Sequence, residues 1–440
     1  MNKKNVFGAF LGLVFIGAIT VGVMQYGTIL NGVNRFISVV QGAEVKPLLS
    51  SESRYIRHIV GKDNATSRTI MWQSDNSEQS AMVEYRLVGS DALLSAPATN
   101  VSFTDDGSTT YIHEATLVDL TPDTKYEYRV GYDSDRRSDW KPLQTASEKG
   151  SYEVLIYPDS QSADYSGWEQ IVKDSAARHP NAVMYLSMGD LVDNGEQASQ
   201  WHTWLSSVEP LSSRIPLAPM MGNHEMYALN WKMREPKAYL AYFDVPDNGS
   251  ENFDRRYYSY DYGDVHYVVL DTQFFEANHA DNSDTHHPDL YDVQIQWLLN
   301  DLSKNTKKWT VVLMHRDPFQ YAINGRTDRE SGFSEEGTIF MPIFDEYNVD
   351  LVLSAHLHTY RDRGHIRNFE RDATGPLYII TGIAGDVRYP NLWQQHPLDV
   401  YVASRPETNN YMNLDVSPNE LIVKSYLPDG TVLEEVSIDK

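Results

Sequence analysis

Five apolar runs in the second part of this chain each stop at side chains that bind metals. EVLIYP ends at Asp159-Ser160-Gln161, and AVMYLSM (182–188) at Gly189-Asp190-Leu191-Val192-Asp193. PLAPMM leads into Gly222-Asn223-His224-Glu225, TVVLM into His315, and DLVLSA into His356 and His358. Helix-like segments near Trp168–Ala177, Gln197–Val208 and Val293–Leu302 separate such runs, and VHYVVLD (265–271) and LYIIT (377–381) add further strands. Alternation of this kind predicts an α/β body with sheets buried between helices. Ligands of open α/β sheets bind outside the carboxyl ends of the strands, so five such ends can converge on one place. Asp159 and Asp190 are 31 residues apart and Asp190 and Asn223 are 33, each enough for one strand–helix crossover.

The donor types agree with one another. No cysteine occurs in the chain, so carboxylate, amide and imidazole must hold any metal. Such a set suits two divalent or mixed-valence ions of iron, zinc or manganese. One carboxylate can bridge a pair of ions, which then clamp a phosphoryl group and activate water. His356 and His358 alone, two imidazoles at period 2 on a strand end, are weak evidence; their weight comes from being the last of five ordered clusters.

Taken in order, Asp159-Ser160-Gln161, Gly189-Asp190, Gly222-Asn223-His224-Glu225, His315 and Ala355-His356-Leu357-His358 resemble the calcineurin-like metallophosphoesterases. H-L-H-T-Y-x-x-R and a β-rich segment ahead of it bring the purple acid phosphatases closest. The resemblance implies a double β-sheet sandwich flanked by helices. It implies Asp190 as the bridge, with Asp159, His358 and Gln161 completing one metal site and Asn223, His315 and His356 the other. It further implies His224 beside the substrate and catalytic together with Asp190, a metal-bound water or hydroxide as nucleophile, and no phosphoenzyme. Asp193, Glu225, Arg316 and Tyr360 are expected around this set, orienting ligands or touching substrate; Tyr227 is a further candidate. Two departures stand out. Purple acid phosphatases carry an iron-binding tyrosine three residues after the bridging aspartate, where this chain has Asp193, so a purple iron–phenolate site is not expected. Gln161 occupies a position where many members have a histidine, so its metal is expected to exchange more readily.

Between Tyr55 and Thr145 the pattern is different: SRTIMWQSD, SAMVEYRLVG, YIHEATLVDL and TKYEYRVGYD are short alternating segments between polar turns. They predict an all-β sandwich over residues 50–147, preceding the α/β body of 151–440. Leu117–Tyr128, LVDLTPDTKYEY, resembles the strand corner of a fibronectin type III domain, with Trp72 as core tryptophan. LDVSPNELIVKSYLPDGTVLEEV closes the chain as β-hairpins.

Val6–Met24 is an almost unbroken apolar run behind Lys3 and Lys4, and nineteen helical residues span a bilayer core. Residues 1–45 are therefore expected to be a membrane anchor and tether, with the body outside the membrane; secretion after signal cleavage is the alternative. The formal charge of −24 argues against long nucleic acids as partners. A small phosphate ester is the expected substrate, with phosphate monoesters ahead of diesters, nucleotides or pyrophosphates. A surface-binding protein on an inactive phosphatase scaffold is the remote alternative, because every ligand type is present. His286 and His287 are expected on a surface loop, and Asn64, Asn100 and Asn248 head glycosylation sequons.

Overall fold

Trp72 is fully buried in the N-terminal part, as expected of a core tryptophan, although all seven residues of its strand Arg68–Ser74 are buried rather than alternating. The computed structural model describes residues 53–440 except 76–79, 133–135, 274–286, 288 and 405–406. Eight strands come first: β1 (Arg54–Ile59), β2 (Arg68–Ser74), β3 (Met82–Leu87), β4 (Leu94–Pro97), β5 (Thr99–Asp105), β6 (Ser108–Leu117), β7 (Lys125–Gly131) and β8 (Lys141–Gln144). β1, β2, β6 and β5 form one layer and β4, β3, β7 and β8 the other. Ile56, Ile70, Trp72, Val83, Leu117, Tyr128 and Val130 fill the space between. The Tyr126 hydroxyl accepts the Thr121 N–H at 3.0 Å, closing the strand corner that LTPDTKYEY predicts. Asn64 is buried and holds both the N–H and the carbonyl of Gly61, so it is no site for a glycan.

The first layer does not end at its own edge. β1 pairs in parallel with β11 (Pro216–Pro219), His58 opposite Pro216, and so joins β9 (Tyr152–Tyr157) and β10 (Ala182–Ser187). The pattern change near residue 150 therefore marks a change of connectivity, not a gap between two bodies: residues 51–440 form one compact unit. The remaining strands are β12 (Tyr258–Tyr262), β13 (Val265–Leu270), β14 (Trp309–Met314), β15 (Phe319–Gln320), β16 (Gly332–Phe333), β17 (Leu351–Ser354), β18 (Arg361–Arg367) and β19 (Glu370–Arg371). β20 (Leu377–Ile380), β21 (Tyr401–Val402), β22 (Tyr411–Val416), β23 (Glu420–Tyr426) and β24 (Val432–Asp439) complete the set. One sheet runs β24-β23-β22-β9-β10-β11-β1-β2-β6-β5, and a second runs β12-β13-β14-β17-β20-β18-β19 with β21 on β18.

Strand periodicity decides how the second sheet is packed. Val265, Tyr267, Val269, Val311, Leu313, Leu351, Leu353 and Leu377 face a core shared with Val154, Ile156, Tyr185 and Leu186 of the first sheet. The alternate residues Val268, Leu270, Val312, Met314, Val352 and Tyr378 pack outward under the helices Leu290–Lys304 and Glu335–Glu346. Trp168, Trp201 and Trp204, from the helices Ser166–Arg178 and Ala198–Ser212, join the shared core. This is the expected α/β fold with two sheets flanked by helices.

The apolar run 6–24 and its tether lie outside the described residues. Among the described residues no helix is long and apolar enough to cross a membrane.

Candidate metal centre

The carboxyl ends of β9, β10, β11, β14 and β17 bring Asp159, Asp190, Asn223, His315, His356 and His358 together across both sheets. Two groups of donor atoms lie within 4.8 Å of one another, Asp190 with His315 and His356, and Asp159 with Asp190 and His358. Asp190 belongs to both. Its Oδ2 is 3.2 Å from His315 Nε2, while Asp159 Oδ2 is 3.0 Å from His358 Nε2. The outer nitrogens are fixed by backbone: His315 Nδ1 donates to the Met188 carbonyl at 2.9 Å and His358 Nδ1 to that of Val387 at 3.0 Å. Each ring therefore presents its Nε2 inward.

Backbone geometry is bent to this end. Asp190, His356 and His358 all adopt positive φ, at 47°, 70° and 55°. Each such residue costs about 1 kcal/mol and persists where its surroundings over-determine it, as at functional sites. Gly189, with φ 87°, lies so near His315 that a Cβ there would meet Nδ1 at 2.6 Å. A Cβ on Gly222 would meet Asp190 Oδ1 at 2.2 Å, so both glycines are required by close approach.

The electrostatics call for cations. Asp159 and Asp190 are buried, and buried carboxylates need paired positive charge. Burial would raise the Asp190 carboxyl, but His315 and His224 outweigh it and hold it well below the usual carboxylate range. Burial likewise lowers His315, yet the attraction of Asp190 and Asp159 prevails and holds it up to about 10. His356 goes the other way: burial and then the charge of His315 push it well below its usual value, leaving a neutral imidazole with a free lone pair.

Three further atoms complete the fit. Gln161 is fully buried with neither amide atom hydrogen-bonded, and the Asn223 amide oxygen is equally unpartnered while its nitrogen donates to Tyr227 Oη at 3.3 Å. His315 Nε2 also has no aligned hydrogen-bond partner. Buried polar atoms rarely stay unpaired. Oxygen and nitrogen donors that are otherwise unsatisfied, around two carboxylates sharing one member, fit a pair of cations.

The surrounding residues separate into distinct tasks. Glu225 is not open to substrate: it is fully buried and accepts four backbone N–H groups, from Gly222 at 2.7 Å, Leu191 at 2.8 Å, Asp190 at 3.0 Å and Val192 at 3.3 Å. It ties the Asp190 turn to the Asn223 loop. Asp193 lies outside both donor groups and receives the His224 Nδ1–H on its carbonyl at 2.6 Å, with its carboxylate 3.6 Å away. Arg316 is half-buried near Glu336 at 3.8 Å and donates its backbone N–H to Thr272. Tyr360, sequence-expected as an outer or substrate residue, is packed away: it is buried and its hydroxyl donates to Glu434 at 2.8 Å. Arg363 pairs with buried Asp317 at 2.6 Å. His287 contacts Glu235 and the Phe253 ring, and His286 lies outside the described residues. No motif pointed to Tyr389, whose ring stacks on His358 at 4.8 Å, nor to Trp231, 6.4 Å from His224 ring to ring. Both sit in irregular segments where spacing carries no signal.

Residues 55–145 match the purple acid phosphatase N-terminal domain and residues 152–360 the calcineurin-like phosphoesterase family. The chain is 26% identical over 435 residues to mouse (Mus musculus) acid phosphatase type 7, covering 90% of this chain and 92% of that one. It is 25% identical over 321 residues to purple acid phosphatase 23 of Arabidopsis thaliana, covering 63% of each. In fold it is similar to a purple acid phosphatase from yellow lupin (Lupinus luteus) seeds, with a TM-score of 0.69 at 18% identity, over 88% of this chain and 74% of that one.

Proposed function

The chain belongs to the calcineurin-like metallophosphoesterases, with a purple-acid-phosphatase-type N-terminal domain, and on that footing we propose that it is a binuclear metal-dependent hydrolase of phosphate monoesters. The observation that carries the reading is the sharing of Asp190, itself buried, between two donor groups. Asp190 would be shared by the two ions, Asp159, His358 and Gln161 would hold one, and Asn223, His315 and His356 would hold the other. When bound, the two ions supply positive charge for the phosphoryl oxygens and lower the pKa of water toward neutrality. The protein's own groups do the rest. Glu225 holds the two loops in register through four N–H groups. His224 has its Nδ1–H committed to the Asp193 carbonyl, so Nε2 is the ring's exchangeable proton site. From Nε2, on the opposite side of the ring, His224 can pass a proton to the departing alkoxide. The names of the acid phosphatase relatives support monoesters. Hydrolysis of diesters, nucleotides or pyrophosphates uses the same metal ligands and is the alternative. The run Val6–Met24 supports export, either retained as an anchor or released after cleavage.

Metal content and turnover of 4-nitrophenyl phosphate and its bis-ester, in wild type and Asn223→Ala, test the reading. Two ions per chain and monoester turnover, both lost or reduced in Asn223→Ala, are expected. Turnover of the diester alone moves the assignment to a phosphodiesterase; a metal-free, inactive wild type overturns it.

A further inference from the structure

We propose that Trp231 and Tyr389 form an aromatic rim at the metal centre that selects phosphate monoesters whose leaving group carries a flat aromatic ring, of which nucleoside monophosphates are the natural class. The inference rests on the phosphoesterase reading above and specifies its substrate.

Trp231 is the observation that starts the argument. It is 54% exposed, among the large apolar residues most open to water, and yet it stands beside His224. Its φ is 63°, a left-handed conformation that bulky side chains avoid. An exposed, strained tryptophan beside a reaction centre is a feature that folding alone does not favour. The turn displaying it is rigid. Trp231 N–H donates to the Ala228 carbonyl at 2.7 Å, and Ala228 N–H to that of Lys232 at 2.8 Å. The same turn is tied to the segment after Asp190, with Asn194 Nδ2 donating to Ala228 O at 2.8 Å and Leu229 N–H to Glu196 at 2.7 Å. The backbone that carries the ring is thus fixed before any ligand arrives, which lowers the entropic cost of stacking.

Its neighbours extend the surface. The Tyr227 ring lies 5.7 Å from that of Trp231 and 5.0 Å from that of His224. Tyr389 approaches from a separate loop, stacked on His358 with 37% of its surface exposed. Two exposed rings therefore flank the two histidines, His224 and His358, that belong to different ends of the cluster. An alkyl phosphate gains little from such surfaces, whereas a nucleobase or phenyl ring can stack on them. Stacking of one base on one aromatic ring corresponds to roughly 5- to 100-fold in affinity.

Trp231→Leu keeps apolar bulk without the π face, and Trp231→Phe keeps a ring; Tyr389→Leu does the same test on the second wall. The ratio of kcat/KM for adenosine 5′-monophosphate to that for glycerol 2-phosphate is compared in each, which cancels effects on the metals. The ratio is expected to fall roughly tenfold in Trp231→Leu and Tyr389→Leu and to stay within about threefold of wild type in Trp231→Phe. Binding of adenosine 5′-monophosphate relative to inorganic phosphate, by calorimetry on the metal-loaded protein, should show the same order. Equal ratios in all four proteins overturn the aromatic rim while leaving the phosphoesterase reading intact. A wild type that hydrolyses neither ester overturns the phosphoesterase reading, and the binding arm then decides the rim separately.

Discussion

Replacing Glu225 by glutamine keeps the shape of the side chain and removes one acceptor oxygen. In the native protein each carboxylate oxygen serves two backbone donors: Oε1 those of Leu191 and Val192, Oε2 those of Asp190 and Gly222. Whichever way the amide turns, its NH2 faces two N–H groups that lose their acceptor. The site is closed to solvent, so water cannot replace the lost bonds. A buried donor left unsatisfied costs about 1–3 kcal/mol, which gives roughly 3 kcal/mol for the pair after partial relaxation. For a unit of this size that corresponds to a fall of about 3–6 °C in Tm. The loss is also directed. Asp190 N–H would no longer be held, and the positive φ of Asp190 would relax toward ordinary geometry, moving the shared carboxylate. Scanning calorimetry on chelated and metal-loaded protein separates the two effects, because metal stabilises only through binding to the folded site. Glu225→Gln is expected to lower Tm in the chelated protein, to lower it further in the loaded one, and to bind fewer than two ions. A variant with two ions and a Tm within 1 °C of wild type in both states would refute the assignment of Glu225 as the tie between the loops.

Gly222→Ala should displace Asp190, since the new Cβ would lie 2.2 Å from its Oδ1; the metal content should drop and turnover fall by roughly 100-fold or more, as atomic spectrometry and a phosphatase assay would read. His266 lies between Asp261 at 2.8 Å and Asp301 at 2.9 Å. Burial lowers its pKa, but the two carboxylates outweigh this and raise it to about 9. Because the folded value exceeds the unfolded one, the contribution is complete below pH 6.5 and lost as pH rises through 9; it is about 2 kcal/mol, allowing for the exposure of Asp261. Denaturant unfolding between pH 6 and 10 should therefore show a decline that His266→Gln flattens. Arg363→Met should cost about 3–5 kcal/mol by leaving Asp317 charged and buried, and Asp317→Leu in the same chain should restore much of it, as measured by Tm.

The strands and most helices were legible because their periods are strong. EVLIY, AVMYLS and TVVLM are short apolar runs of strand length and each forms a strand, and the helix at Ser166–Arg178 brackets its predicted extent. The helix Glu335–Glu346 had no comparable signal, since Pro342 interrupts its pattern; its start is marked by Ser334, whose Oγ accepts the Gly337 N–H. The joining of β1 to β11 was equally hidden, because pairing between His58 and Pro216, 158 positions apart, leaves no local trace.

The sequence by itself determined the donor set. Which residues end strands, in what order and with which glycines beside them, follows from local pattern, and the absence of cysteine restricted the donors to oxygen and imidazole nitrogen. Tertiary structure alone decided what the remaining polar residues do. Glu225 became a buried tie between loops, Asp193 a partner of His224, and Tyr360 a packing residue bonded to Glu434. Tyr389 acquired its place beside His358 only through contact between separate loops, and Trp231 its place beside His224 through the irregular path of the chain between them. The physical reason is range: strand and helix periods are set by neighbours in sequence, whereas burial, hydrogen-bond partners and ring contacts are set by residues tens to hundreds of positions away.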